Sequence, residues 1–372
     1  MADPIYSPGL EGVIAGQTAI SNISDGLRYR GYGIEDLARN ARFEEVAYLL
    51  LYGELPEEEQ LRSFCKRLGE YAPVNKTILK FLPTLPRNTP IMDFLRTGAS
   101  ALAHWDPEAA DISRDAQLRK AERLLARLPT ITAAHYRLRQ DKEPVAPDAK
   151  YSFAGNLLWM LHRKPPDPQF ERAMDVSLTL YAEHEFNAST FTARVIASTL
   201  SDLHSSIAGA IGALKGSLHG GANERVMEVL REVGTADNAE GWIRDALAAK
   251  RRIMGFGHRV YKTGDPRAEY LKALCDELAT TDQYRDMEVM ADTIERIVRD
   301  EKGLPPNLDW PSARLYHYMG LHVELYTPLF VLSRVVGWSA HVIEQLDDNR
   351  LIRPRSQYTG PDARPWVPID QR

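Results

Sequence analysis

Apolar residues recur at three- and four-residue spacing along most of the chain, and that period predicts helices. Val46, Leu49 and Leu50 follow Phe43 at helical spacing, and Gly53 with Pro56 supplies a stop signal. Similar patterns run over 57–70, 89–104, 114–139, 151–162, 168–184, 188–201 and 203–214. The N-terminal stretch differs. Ile20–Ile23 and Leu27–Arg30 flank Ser24-Asp25-Gly26, which reads as two short strands around an Asp-Gly turn. From about 215 onward, glycines cluster at Gly216, Gly220 and Gly221, then at Gly255, Gly257 and Gly264. Amphipathic helices are predicted near 222–233, 239–250, 266–280 and 284–300. The run Pro305-Pro-Asn-Leu-Asp-Trp-Pro311 interrupts the pattern, and a last long helix spans about Leu325 to Leu346. The expectation is a mainly α protein with a short N-terminal β-hairpin. Residues 1–214 and 321–372 form a large helical domain, and 215–320 form a smaller one inserted into it.

Length and composition narrow the class. A chain of 372 residues needs no disulfide or metal staple to fold. With 44% apolar and 26% charged residues it is neither disordered nor fibrous. Lys+Arg 46 against Asp+Glu 51 gives −5, without the basic excess of a nucleic-acid binder. Cys65 and Cys275 are too few and too far apart for a disulfide scaffold or thiolate metal site, and suit a reducing compartment. Asp3, Pro4 and Pro8 stand where a signal peptide needs basic then apolar residues, so the cytoplasm is the expected location. Leu203–Leu214 is charge-free but too short for a membrane span, and its small residues suit close helix packing.

Three of the ten histidines keep unusual company. His219 lies in Lys215-Gly-Ser-Leu-His-Gly-Gly-Ala-Asn223, His258 in Met254-Gly-Phe-Gly-His-Arg-Val-Tyr-Lys262, and His184 in Tyr181-Ala-Glu-His-Glu-Phe-Asn-Ala-Ser189. Neighbouring glycines let backbone approach a ligand, and imidazole can give or take a proton near neutral pH. Each alone equally fits a hydrogen-bonded structural histidine. Familiar alternatives fail on spacing. Ala188 stands where a zinc protease motif needs its second His, and Lys215-Gly-Ser217 reverses the order of a phosphate loop. Gly255-Phe-Gly257 lacks the third glycine of a dinucleotide fingerprint.

Arginines form a second theme. Arg267 follows Gly264-Asp-Pro266, Arg334 sits among Leu332, Val335 and Val336, and Arg353 precedes Pro354. Convergent guanidinium forks suit a di- or tricarboxylate, while each separately suits a surface ion pair. Asp309, between Leu308 and Trp310 in a proline-braced loop, is either a turn or cap residue or a carboxylate whose apolar surroundings make it a better base.

In this order the motifs resemble those of the citrate synthase family. The resemblance runs from Gly9-Leu-Glu-Gly12 and Leu27-Arg-Tyr-Arg-Gly-Tyr32 through Phe43–Tyr48 and Gly53-Glu-Leu-Pro56. It is densest at His184–Thr190, Gly216–Asn223, Gly255–Arg267, Pro306–Asp309, Ser333-Arg334 and Ile352-Arg-Pro354. It implies that Asp309 takes a proton from the acetyl-CoA methyl group. His219 then hydrogen-bonds the thioester oxygen, and His258 polarises the oxaloacetate ketone and protonates the new alkoxide. His184, Arg267, Arg334 and Arg353 hold oxaloacetate, Arg353 reaching over from the partner subunit of a homodimer, and Asn187 lies beside that site. Arg259 and Lys262 are candidates for the CoA phosphates. No metal and no cofactor is implied, acetyl-CoA being a substrate. Asp309-Trp-Pro-Ser-Ala313 is similar to a motif of 2-methylcitrate synthases, so propionyl-CoA is the alternative acyl donor. A non-catalytic carboxylate-binding relative is the remote alternative; it would be expected to lack Asp309, His219 or His258.

Overall fold

The computed structural model describes residues 6–24, 26–81, 84–257, 261 and 264–372. Three two-residue strands, β1 (Ser21–Asn22), β2 (Arg28–Tyr29) and β3 (Tyr32–Gly33), form one antiparallel sheet in the order β1-β2-β3. Ser21 faces Tyr29 and Arg28 faces Gly33. The predicted hairpin is therefore joined by a third strand. Arg30 and Gly31 turn the chain between β2 and β3 with φ of 50° and 93°, and that two-residue turn was not read from the sequence.

Sixteen α-helices follow among the described residues. The first group is α1 (Ile34–Asn40), α2 (Phe43–Tyr52), α3 (Glu58–Tyr71), α4 (Lys76–Phe81), α5 (Ile91–Leu102), α6 (Arg114–Leu138), α7 (Phe153–His162) and α8 (Pro168–Tyr181). Next come α9 (Ala188–Ser198), α10 (Leu203–Lys215), α11 (Ala222–Val233), α12 (Ala236–Ala248) and α13 (Pro266–Leu278). The last are α14 (Asp282–Lys302), α15 (Asp309–Tyr318) and α16 (Tyr326–Asp347). The long periodic stretches are helices within a few residues of their expected bounds.

Two differences matter for the site. The helix expected over 168–184 stops at Tyr181, which releases Glu183 and His184 into a loop. The segment expected as a proline-braced loop is instead the start of α15, with Asp309 as its first residue. Pro311 is tolerated there because a first-turn residue has no intrahelical acceptor for an N–H.

Helix α16 is the central element. From Tyr326 to Ile343 every residue except Phe330 is buried, as expected of a helix apolar on all sides. It packs against α2, α6, α8, α9 and α10. Helix α10 packs on α9 and α5, and a Cβ at Gly209 would come under 3.0 Å from the Ile196 side chain, so the small residue sets that approach. Helix α12 lies on α14, while α11 and α13 both lie on α15; α13 also reaches α8 and α1. Beyond α16 the chain runs as an exposed tail ending in a short 3-10 turn at Ile369–Gln371. Among the described residues no helix is long and apolar enough to cross a membrane.

Candidate active site

The C-terminal end of α8 organises the site. The last turn of a helix leaves carbonyl groups without intrahelical donors and carries partial negative charge, so it attracts cations. Here two buried arginines answer it. Arg334 of α16 donates from Nε to the Tyr181 carbonyl at 2.6 Å, and Arg267 of α13 donates from Nη1 to the Leu180 carbonyl at 3.4 Å. Arg267 is otherwise matched by Asp265, through Nε at 2.9 Å and Nη2 at 2.8 Å. Arg334 differs. The residue is 2% exposed and its guanidinium stacks 4.6 Å from the Phe330 ring centroid, yet its two terminal nitrogens make no hydrogen bond with the described residues. Burial lowers its pKa to about 10, which still leaves it charged at neutral pH. A buried, charged fork with both prongs open is suited to a carboxylate.

The loop after α8 carries His184. Its Nε2 lies 3.2 Å from the Tyr261 hydroxyl, and the two rings meet edge-on. Glu183, fully buried, anchors the loop. Its Oε1 accepts from His341 Nε2 at 2.8 Å and from Ser21 Oγ at 3.0 Å, and its backbone carbonyl accepts from the Tyr29 hydroxyl at 2.9 Å. These partners hold Glu183 below the usual carboxylate range against the opposing effect of burial, which is the largest influence on it. Its Oε2 rests on Gly337 of α16, where a Cβ would come under 3.0 Å from both Glu183 Oε2 and the Ala182 carbonyl. Gly337→Ala is therefore expected to cost roughly 1–3 kcal/mol of stability by overpacking. Denaturant unfolding checks this; a variant as stable as the parent would contradict the close approach.

Asn187 caps α9. Its Oδ1 accepts from Thr190 N at 3.1 Å and Ser189 Oγ at 2.7 Å, while Nδ2 faces the His184 and Glu185 carbonyls at 3.3 Å. It fixes the loop rather than presenting a free amide. Ser189, so placed, meets the histidine of the next turn. His219 Nε2 accepts from Ser189 N at 3.2 Å and lies 2.8 Å from Ser189 Oγ, which puts the ring proton on Nδ1. Burial, reinforced by the charge of Arg334, lowers the His219 pKa to about 4, so the ring is neutral at pH 7. The turn that presents it needs glycine, because a Cβ at Gly220 would come under 3.0 Å from the Leu214 carbonyl.

Asp309 completes the group. Its backbone N–H donates to Asn307 Oδ1 at 3.0 Å, and its Oδ1 accepts from the Tyr181 hydroxyl at 2.8 Å. Burial raises its pKa, opposed by Tyr181, Arg267 and Arg334. Asn307 also stitches the preceding segment in place, donating from Nδ2 to the Gly257 carbonyl at 3.0 Å and from its backbone to the Gly255 carbonyl at 2.9 Å.

The fold thus links His184, His219, Arg267, Arg334 and Asp309 through Tyr181, Tyr261 and Ser189. His258, Arg259 and Lys262 lie outside the described residues. Arg353 is not brought to the others within its own chain. It is exposed on the tail, making no hydrogen bond or ion pair with described residues, although Ile352 N is fixed to Ser198 Oγ at 3.1 Å. Tyr181, Ser189 and Asp265 were not singled out from sequence. Tyr181 and Ser189 bound the His184 motif, and Asp265 stands two residues before Arg267, so proximity to the motifs was the signal present.

Known proteins place this site in context. The family model for the citrate synthase C-terminal domain matches residues 9–355. Citrate synthase 2 of Bacillus subtilis is 48% identical over 98% of both chains. 2-Methylcitrate synthase 1 of Corynebacterium glutamicum is 43% identical over 100% of both. Among solved structures, the ternary complex of citrate synthase from Thermoplasma acidophilum with carboxymethyl coenzyme A and oxaloacetate superposes with a TM-score of 0.92 at 35% identity, covering 98% of this chain and 99% of that one. With full-length identity at this level and a mainly helical fold in common, the chain belongs to the citrate synthase family.

Proposed function

We propose that the protein condenses acetyl-CoA with oxaloacetate and hydrolyses the resulting thioester to citrate and CoA. The observation that carries the reading is the open, buried Arg334 fork beside a neutral imidazole and a carboxylate of raised pKa. Arg334, Arg267 and His184, together with Arg353 from the neighbouring subunit, hold oxaloacetate, and His258 polarises its ketone. Asp309 removes a proton from the acetyl methyl group. The thioester α-carbon is a weak acid, so the developing enolate oxygen needs a donor placed in advance, and His219 Nδ1–H supplies it. With Nε2 held by Ser189, the neutral ring has a single N–H, at Nδ1, fixed in direction as a preplaced donor. The enol carbon attacks the ketone, and His258 gives a proton to the alkoxide. Water then cleaves the thioester, releasing CoA. Holding both substrates in one site contributes roughly 7–11 kcal/mol to such a bimolecular step.

The reading extends to the assembly. Residues 215–320 close as a smaller domain over the rest, excluding water, and Arg259 and Lys262 hold CoA phosphates. The working unit is a cytoplasmic homodimer in which Arg353 enters the neighbouring site. The relative with bound oxaloacetate and a CoA analogue supports the substrate pair.

Propionyl-CoA is the second reading, favoured by the Asp309-Trp-Pro-Ser-Ala313 motif and by the identity to a 2-methylcitrate synthase. Trp310 itself is fully buried, with its ring 4.6 Å from that of Phe256, where it braces the backbone of the site. Free-thiol release with oxaloacetate and either acyl-CoA decides between them. The expected result is a kcat/KM for acetyl-CoA roughly 10-fold or more above that for propionyl-CoA, the scale set by one methylene. The reverse preference would establish the second reading.

A further inference from the structure

Tyr181 is the last residue of α8 and 3% exposed. Its hydroxyl lies 2.8 Å from Asp309 Oδ1 and 2.8 Å from Ser312 Oγ. A phenol has one proton to give, and the carboxylate is the stronger acceptor. Its main-chain carbonyl accepts from Arg334 Nε at 2.6 Å. One residue therefore touches the base through its side chain and the carboxylate-binding arginine through its backbone. The ring is wedged edge-on against Phe330, centroids 4.7 Å apart, and Phe330 also carries the Arg334 guanidinium.

We propose that Tyr181 is the positioning residue of the base: its hydroxyl holds Asp309 Oδ1, leaving Oδ2 to take the proton, and keeps the buried carboxylate ionised. This rests on the proposed condensation and deepens it. Among the described residues, charged or titratable groups face Asp309 from its neighbours: Tyr181 on α8, Asp265 and Arg267 at the start of α13, Tyr316 on α15 and Arg334 on α16. Among the described residues only Tyr181 hydrogen-bonds the Asp309 side chain. A hydrogen bond to the charged form favours that form, so it offsets part of the burial that drives the Asp309 pKa up. The phenol is itself pushed well above its ordinary value by burial and by Asp309, and so stays a donor across the working range.

The test is the pH profile of kcat for Tyr181→Phe beside wild type, at saturating substrates. The reaction needs the carboxylate ionised, so the acid limb lies where Asp309 titrates. Loss of the hydrogen bond should move that limb to higher pH by about one unit and lower the plateau kcat roughly tenfold. KM for oxaloacetate should stay within about twofold, because the backbone carbonyl still holds Arg334. A packing role for the ring would act instead on stability and KM with the limb in place. Should Tyr181→Phe fail to fold, 3-fluorotyrosine at position 181, a more acidic and stronger donor, should move the limb to lower pH. An unmoved limb in either protein, beside a wild type that turns over, overturns the proposal alone. A wild type without turnover removes the proposed function and this inference with it.

Discussion

Asp309→Asn is expected to lose condensation by about 10²–10⁴-fold, the usual range for removal of a general base. The fold should survive. The amide is isosteric with the carboxylate, its oxygen can still accept from the Tyr181 hydroxyl, and the backbone contact to Asn307 Oδ1 is unaffected. Stability should hold or rise at neutral pH. A carboxylate whose folded pKa is raised binds its proton more tightly in the native state than in the unfolded one, so its ionisation opposes folding above that pKa. A neutral amide removes this penalty. Oxaloacetate affinity should be near that of the parent, because Arg334 and Arg267 are untouched. Steady-state kinetics, the unfolding midpoint and oxaloacetate titration together check these expectations. A loss of turnover below tenfold would remove Asp309 from the role of base.

The second large effect concerns the proposed homodimer. Arg353→Ala should cost roughly 1.5–3 kcal/mol in oxaloacetate interactions, the worth of a charged hydrogen bond, with Lys a poor substitute. Arg334→Ala should cost at least as much, since it also leaves the Tyr181 carbonyl without its donor. Each variant alone should be strongly impaired. Co-refolding the two variants should restore activity. With random two-fold assembly about half of the dimers are mixed, and one site of each mixed dimer pairs an intact Arg334 with the partner's intact Arg353, giving roughly a quarter of parental activity. If Arg353 served its own chain, no mixed dimer would hold an intact site and mixing would restore nothing. The exposed position of Arg353, on a tail rooted to Ser198 through Asn349 and Ile352, is what the first arrangement needs.

Much of the fold was legible because most of the chain is helix with strong apolar periodicity. Helix α11 falls on its expected bounds, and α16 is displaced by a single residue at each end. Short elements escaped. Helices α1 and α4, of 7 and 6 residues, hold too few turns to show a period. Helix α15 was hidden by Pro311, read as a breaker although its place in the first turn makes it harmless. In the site, His219 was legible as an imidazole among glycines, Asp309 and Arg334 as charges among apolar side chains, and His184 through the motif that resembles the citrate synthase family. Tyr181 was not. A tyrosine ending an amphipathic helix looks like core, and its hydroxyl partner lies 128 positions away in sequence. The open Arg334 fork likewise depends on the close of α8 against α16, which local patterning does not reveal.

The most direct test of the account is carbon–carbon bond formation itself, followed by NMR with methyl-labelled acetyl-CoA. With oxaloacetate present, the account predicts that the label moves into a citrate methylene and that one CoA thiol is released per oxaloacetate consumed. Without oxaloacetate no thiol should appear. Release of labelled acetate at a rate independent of oxaloacetate would make the protein a thioester hydrolase and contradict the account.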